Sequence, residues 1–206
     1  MEYIQVTSKN IDTEHICCAL SNGKDAQGYT YINCLWVAGS FKGHGYSTEL
    51  LDACVKDSKQ KGKQGLCILS SQKKKPFLAD PEFLQHKGFA VCDESAQGVQ
   101  LWYLPFEEKS LPPRFKACAK HPHIDEMGYV LYYTSQCPFN AKYVPLLEKL
   151  AKEKGVQFQT IHLQSKEQAQ NAPTPTTTYA LFYNGEYLTH EQMNEKKFLK
   201  RLEKYI

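Results

Sequence analysis

The sequence predicts an α/β protein built from two units, and three observations carry the prediction. Short apolar runs alternate with amphipathic stretches up to about residue 105. The segment LPFEEKSLPPRFKACAKHPHIDEMG, 104–128, then holds four prolines and mixed charge with no sustained period, which is the mark of a connector. From Tyr129 a second alternation of strands and helices begins. The expected division is a unit over 1–106, a linker over 107–127 and a unit over 128–206. A chain of 206 residues is long enough to bury a real core.

Taken in order, YIQV at 3–6 reads as a strand. Asp12 is placed to cap a helix over 13–20, TEHICCAL. NGKDAQG at 22–28 is a loop by its Gly, Asn and Asp content. YTYINCLWVAG, 29–39, is a long β-rich run. Residues 46–60 form a helix with Leu50, Leu51, Cys54 and Val55 on one face. LCILS, 66–70, is a buried strand. PEFLQHKGF opens a helix with Pro81 in its first turn and stops it at Gly88. FAVC at 89–92 and VQLWYLPF at 99–106 pair antiparallel across SAQG. A short helix is expected over 113–119.

In the second unit, YVLYYTS at 129–135 is a strand and a helix runs from Ala141 to Lys154. VQFQTIHL, a short helix at 165–171, the strands ALFYN and EYLT on either side of Gly185, and a last helix from His190 complete it.

Composition excludes some classes. The net charge of +3 is too weak to argue for nucleic acid. Trp36, Trp102, Tyr103 and Phe106 fall on strands and read as sheet packing rather than as a platform for stacked bases. No apolar run approaches the ~20 residues that cross a bilayer. The start, MEYIQVTSKNID, lacks the basic and apolar stretches of a secretory signal. A cytoplasmic protein that uses neither membrane nor nucleic acid is expected. The eight cysteines include no CxxC pair, so reduced thiols are expected. Cys17 and Cys18 read as core fillers. Cys118, His121 and His123 cluster without a fourth ligand, and no metal site is assigned.

The chemistry is expected at SFKGHGYSTELL, where a β run meets a helix through Gly43 and Gly45. The first amides of a helix have no partners within it, and the helix dipole adds partial positive charge there. Glycines let a phosphate approach such a backbone closely. The amides from Phe41 to Ser47 (Phe41, Lys42, Gly43, His44, Gly45, Tyr46, Ser47) are therefore a candidate anion cradle, with Lys42 and His44 adding charge. Neither GxxxxGK[ST] nor GxGxxG is present. Lys73, Lys74 and Lys75 read either as a solvated loop or as a site for a further phosphate.

The loop resembles motif A of the GNAT acyltransferases, Q/R-x-x-G-x-G/A, with Ser40 at the Q/R position. HKGFAVCD, 86–93, resembles the "GF" signature that closes that fold's fourth helix. Three blocks, YINCLWVAGSFKGHGYSTELLDACVKDSKQKG, KKKPFLADPEFLQHKGFAVCD and YYTSQCPFNAKYVPLLE, resemble in order the YoaP-type family, a GNAT domain followed by a thioredoxin-like domain. The resemblance implies acetyl-CoA as cofactor. It places the pantetheine arm along Leu35, Trp36 and Val37 of a splayed strand, the pyrophosphate on the amides of 41–47, and a small-molecule or peptide amine as acceptor. It allows a homodimer.

Two departures from the family stand out. The slot of the usual acid Tyr holds Leu84, which leaves His86, Cys92 and Tyr103 as candidate catalytic groups beside their structural reading. Only about 22 residues separate the first strand from the run at 29, where the family carries an extra helix and two strands. The GNAT-like sheet is thus expected to be shortened. Its acceptor wall then comes from a large substrate or a partner subunit, or transfer has been lost.

In the second unit, the order β-α-β then β-β-α with Cys137 at the first helix start is thioredoxin-like. A helix N-terminus favours thiolate, so Cys137 is a candidate for thiol chemistry. Asn140 replaces the second cysteine of CxxC, which disfavours dithiol exchange. The leading expectation is an acetyl-CoA-dependent N-acetyltransferase with an accessory domain. The alternatives are a non-catalytic CoA- or thiol-binding adaptor and a monothiol redox protein.

Overall fold

The computed structural model describes residues 5–6, 18–20, 28–37 and 39–203. Twelve strands and six α-helices are assigned among them. The first unit is organised around β5 (Gly65–Ser70), buried at all six positions. It lies between β3 (Tyr29–Ile32), which runs parallel to it, and β7 (Gln100–Pro105), antiparallel; β6 (Ala90–Glu94) closes the order β3-β5-β7-β6. A strand buried on both faces reads as a continuous apolar run, and GLCILS is one.

The long β run at 29–39 is not one strand. Pairing of β3 with β5 ends at Ile32↔Ile68. After Asn33 and Cys34 the chain resumes as β4 (Leu35–Trp36), whose partner is β1 (Gln5–Val6), antiparallel, and not β5. The two strands therefore part at the end of β5, where, among the described residues, Leu69 and Ser70 pair only with β7.

Helix α1 (Tyr46–Gln60) and helix α2 (Pro81–His86) cover one face of this sheet, burying Leu51, Cys54 and Leu84 against Ile32, Leu66, Ile68, Phe89 and Trp102. Asp80 caps α2 through the Glu82 amide, with Pro81 in the first turn as expected.

The second unit has β9 (Tyr129–Tyr133) flanked by β10 (Phe158–His162), parallel, and β11 (Tyr179–Tyr183), antiparallel; β12 (Glu186–Thr189) completes the order β10-β9-β11-β12. Helix α4 (Pro138–Glu153) and helix α6 (Glu195–Leu202) pack Val144, Leu147, Ala151, Phe198 and Leu202 on Tyr129, Leu131, Tyr179 and Leu181. Helix α5 (Lys166–Gln170) is capped by Ser165. Alternate residues of β9 and β11, among them Val130, Tyr132, Ala180 and Phe182, face the other way. They share one apolar cluster with Tyr29, Tyr31, Cys67, Leu69 and Leu101 of the first sheet.

Three expectations are corrected. Residues 18–20 are strand β2 (Cys18–Leu20), paired with β8 (Pro113–Phe115), and not the end of a helix. An eight-residue helix is too short to hold itself, so an available strand edge wins; the rest of the 13–20 segment and most of the 22–28 loop lie outside the described residues. The connector does not form one helix over 113–119. It supplies β8 and helix α3 (Ala117–Lys120), and Asp93 ties them to β6 by accepting from the Phe115 amide at 2.8 Å and pairing with Lys120 at 3.0 Å. The last helix starts at Glu195 rather than His190, because Asn194 accepts from the Lys197 amide and caps it there.

Candidate active site

The parting of β4 from β5 opens a cavity of about 480 Å³. Leu35, Trp36, Val37, Phe41, Lys42, Gly43, Gly45, Tyr46 and Ser47 line it, together with Thr48, Lys74, Leu78, Ala79, Asp80 and Phe83. Of the ten residues expected to hold a cofactor, nine line this cavity. The tenth, His44, is exposed and turns its ring toward Tyr46, 5.9 Å between centroids.

The cavity floor is the start of α1. A 3₁₀ turn, Gly39–Phe41, leads into Gly43 and Gly45, both at φ 84°. That left-handed backbone strains any residue with a Cβ. Space above both glycines is open, with nothing within 4 Å of where a Cβ would stand. The Thr48 and Glu49 amides turn back to the Gly45 carbonyl at 2.8 and 3.2 Å. Among the described residues no carbonyl accepts from the amides of Gly43, His44, Gly45, Tyr46 or Ser47, and Gly45 offers no side-chain cap. Bare amides, a helix N-terminus and open space beside glycines are what an oxyanion requires. The donor set therefore fits a diphosphate.

The opposite wall is the chain between β5 and α2. The Ser70 hydroxyl donates to the Ala79 carbonyl at 2.7 Å, and the Ala79 amide donates to Leu69 at 3.2 Å. Lys74 meets the Asp80 carboxylate at 2.5 Å. That contact, helped by the Glu82 amide, holds Asp80 below the usual carboxylate range. Sequence reasoning did not single out Leu78, Ala79, Asp80 or Phe83 as cavity residues. Their only local signal was the cap and first turn of α2; what brings them to the cavity is a fold-back of the chain. Trp36 stays 53% exposed on the facing strand.

The candidate catalytic groups lie elsewhere. Tyr103 sits on β7 opposite Cys67 and Ala90, its ring edge-on to Tyr29 at 6.4 Å. Cys92 is buried, donates to the Leu101 carbonyl at 3.3 Å, and burial pushes its thiol up to about 12. His86 is exposed in the last turn of α2. None of the three lines the cavity. Leu84, in the slot of the family's acid, is fully buried.

Cys137 caps the start of α4, with its Sγ 3.7 Å from Gln192 Oε1. Asn140 is buried. Its Nδ2 donates to Thr134 at 2.9 Å and Thr178 at 2.7 Å, and its Oδ1 accepts from Gln192. Cys34, at the point where β3 and β4 separate, is exposed and lies close to Cys137. The cysteines at 34, 54, 67, 92, 118 and 137 are free thiols. Among the described residues no helix is long and apolar enough to cross a membrane.

Residues 12–76 match the model of the acetyltransferase (GNAT) family, and residues 157–200 match the YoaP-like model. The "Uncharacterized N-acetyltransferase YoaP" of Bacillus subtilis (strain 168) is 36% identical over 247 aligned residues, covering 98% of each chain. That alignment is 41 positions longer than this chain, so the relative carries segments absent here. A solved structure, "putative acetyltransferase from Agrobacterium tumefaciens", is 16% identical, with a TM-score of 0.28 over 43% of this chain and 72% of the other.

Proposed function

Because the chain belongs to the YoaP-type GNAT N-acetyltransferases, and is thus an acyl-transferring enzyme, we propose that its donor is acetyl-CoA, held in the cavity between β4 and the Leu78–Asp80 wall. The observation that carries this reading is the row of bare amides from Gly43 to Ser47 at the start of α1. Bound there, acetyl-CoA supplies an activated acetyl thioester.

The chain's own residues do the rest. The amides of Gly43, Gly45, Tyr46 and Ser47 would donate to the diphosphate, with Lys42 adding positive charge on that side and Lys74, paired with Asp80, on the facing wall. Among the described residues β4 pairs with β1 alone, so the peptide groups of its other edge would be open to the amides of the pantetheine arm. Leu35, Val37 and Phe83 keep the arm's surroundings apolar. A backbone amide of this strand is the donor available to a developing oxyanion. No proton transfer is assigned to Tyr103, Cys92 or His86, since none lines the cavity.

The acceptor in this reading is an amine of a small molecule or peptide. The second unit is read as a thioredoxin-like accessory domain, on the strength of its order β9-α4-β10-α5-β11-β12-α6 and the place of Cys137. Asn140, locked in the core, leaves Cys137 without the second cysteine of a CxxC pair. The free thiols fit a reducing compartment such as the cytoplasm.

The test is release of free CoA from acetyl-CoA across a panel of amines, with Gly45→Asp alongside the parent chain. The reading expects amine-dependent release that the substitution reduces at least tenfold. Release that the substitution leaves unchanged refutes it.

A further inference from the structure

We propose that His190, on the second unit, is a positioning residue for acyl-CoA binding. By holding the Pro76 carbonyl, it fixes the apex of the loop that forms the second wall of the cavity. The inference rests on reading that cavity as the cofactor cleft.

The loop from Ser71 to Asp80 contributes Lys74, Leu78, Ala79 and Asp80 to the cavity. Its two ends are tied within the first unit. The Ser71 hydroxyl donates to the Lys73 carbonyl at 2.7 Å, and Ala79 is bound to Leu69 and Ser70. The apex is different. Pro76 has no amide to donate. Phe77 is 60% exposed at φ 62°, a left-handed backbone that a bulky side chain rarely takes, and the turn around it is closed within the loop by a long bond of 3.4 Å from the Leu78 amide to the Lys75 carbonyl.

What meets the apex comes from 114 residues away: His190 Nε2 lies 3.1 Å from the Pro76 carbonyl oxygen. A carbonyl only accepts, so Nε2 carries the proton and Nδ1 is left as an acceptor. The Tyr187 hydroxyl, 3.3 Å from Nδ1, donates to it and accepts in turn from Thr176 Oγ1, also at 3.3 Å. Thr176 is buried and bonded to Thr174. Burial holds His190 below its ordinary range and so keeps the ring neutral. The imidazole is thus oriented from the second unit's interior and presented to a strained turn beside the cleft. The shared apolar cluster keeps the two units in register.

Two measurements on the full chain test this: calorimetric titration with acetyl-CoA, and hydrogen exchange of the 72–79 amides. They are made on the parent, His190→Ala and His190→Gln, whose amide can still reach Pro76. His190→Ala is expected to weaken acetyl-CoA about five- to tenfold and to speed exchange in 72–79, while protection of 129–133 is unchanged; Gln restores most of the affinity. Affinity of His190→Ala within twofold of the parent overturns the inference, as does equal loss in Ala and Gln. If His190→Ala does not fold, Tyr187→Phe carries the test, with a two- to threefold loss expected and no loss contradicting it. A parent chain that fails to bind acetyl-CoA refutes the cleft reading and this inference with it. Binding that Gly43→Asp abolishes but His190→Ala leaves intact refutes the inference alone.

Discussion

Two long helices of this protein begin in opposite ways. Helix α1 starts after Gly45 in left-handed backbone, and helix α4 starts after Cys137 in extended backbone. Neither cap residue supplies a side-chain acceptor. Each end carries the same partial positive charge from its dipole. Their surroundings separate them. At α1 Gly43, Gly45, Tyr46 and Ser47, whose amides are bare, line a cavity with open space above the glycines. At α4 the first helical residue, Pro138, has no amide, and the buried Asn140 binds two carbonyls and Gln192. One end is left open for a ligand, whereas the other spends its polar groups on the fold. A helix N-terminus becomes a binding site only where the chain keeps other acceptors away from it.

The largest effect expected from this contrast is structural. Asn140→Ala strands the buried Thr134 carbonyl and the Gln192 side-chain amide, leaves the Thr178 carbonyl with the Thr134 amide at 3.4 Å, and should lower stability by about 3 kcal/mol in urea unfolding. Acetyl-CoA affinity of the folded molecules should not move. A change in affinity as large as the change in stability would merge the two helix ends into one unit.

Next comes alkaline unfolding. Burial raises Tyr29, Tyr187 and Cys92 to about 12. A group whose folded pKa is raised contributes stability that is present below its unfolded pKa and is lost as pH climbs toward the folded one. Urea midpoints should therefore fall as pH climbs from about 9 to about 12. Stability that rises through this window would contradict the burial of these groups.

A smaller effect is expected at the cavity wall. Asp80 places a carboxylate where phosphates are to bind, so Asp80→Asn, which still caps α2, should tighten acetyl-CoA two- to threefold at low salt and have no effect at high salt. The smallest belongs to Cys137→Ser. Acetyl-CoA affinity should stay within twofold, and thiol labelling should lose the component due to that residue. A large loss of affinity would bring the second helix end into the cofactor site.

The first helix end was legible in the sequence because its signals are local. Two glycines, a β run before them and an amphipathic run after them lie within some thirty residues. The wall that faces it was not, because Leu78, Ala79 and Phe83 reach the cavity only once the chain after β5 folds back on Ser70. The break of β3 from β4 cannot be read from hydrophobicity, since both pieces are β-rich; resemblance to the family implied a splayed strand, not a break at Asn33 and Cys34. Residues 18–20 were misread because a short run of helical period says nothing about a strand edge more than ninety residues away. The stretch His190 to Met193 looked like a helix start and is instead a turn that buries Gln192 and Met193 and offers His190 to the other unit.

The measurement that bears most directly on the account is titration calorimetry of acetyl-CoA into the parent chain and into Gly43→Asp. The substitution puts a Cβ at φ 84° and a carboxylate among the bare amides, without a clash in the fold. The account predicts saturable binding to the parent and an affinity at least 30-fold weaker, roughly 2 kcal/mol, in the variant. Equal affinities in the two would show that the amides at the start of α1 do not hold the cofactor.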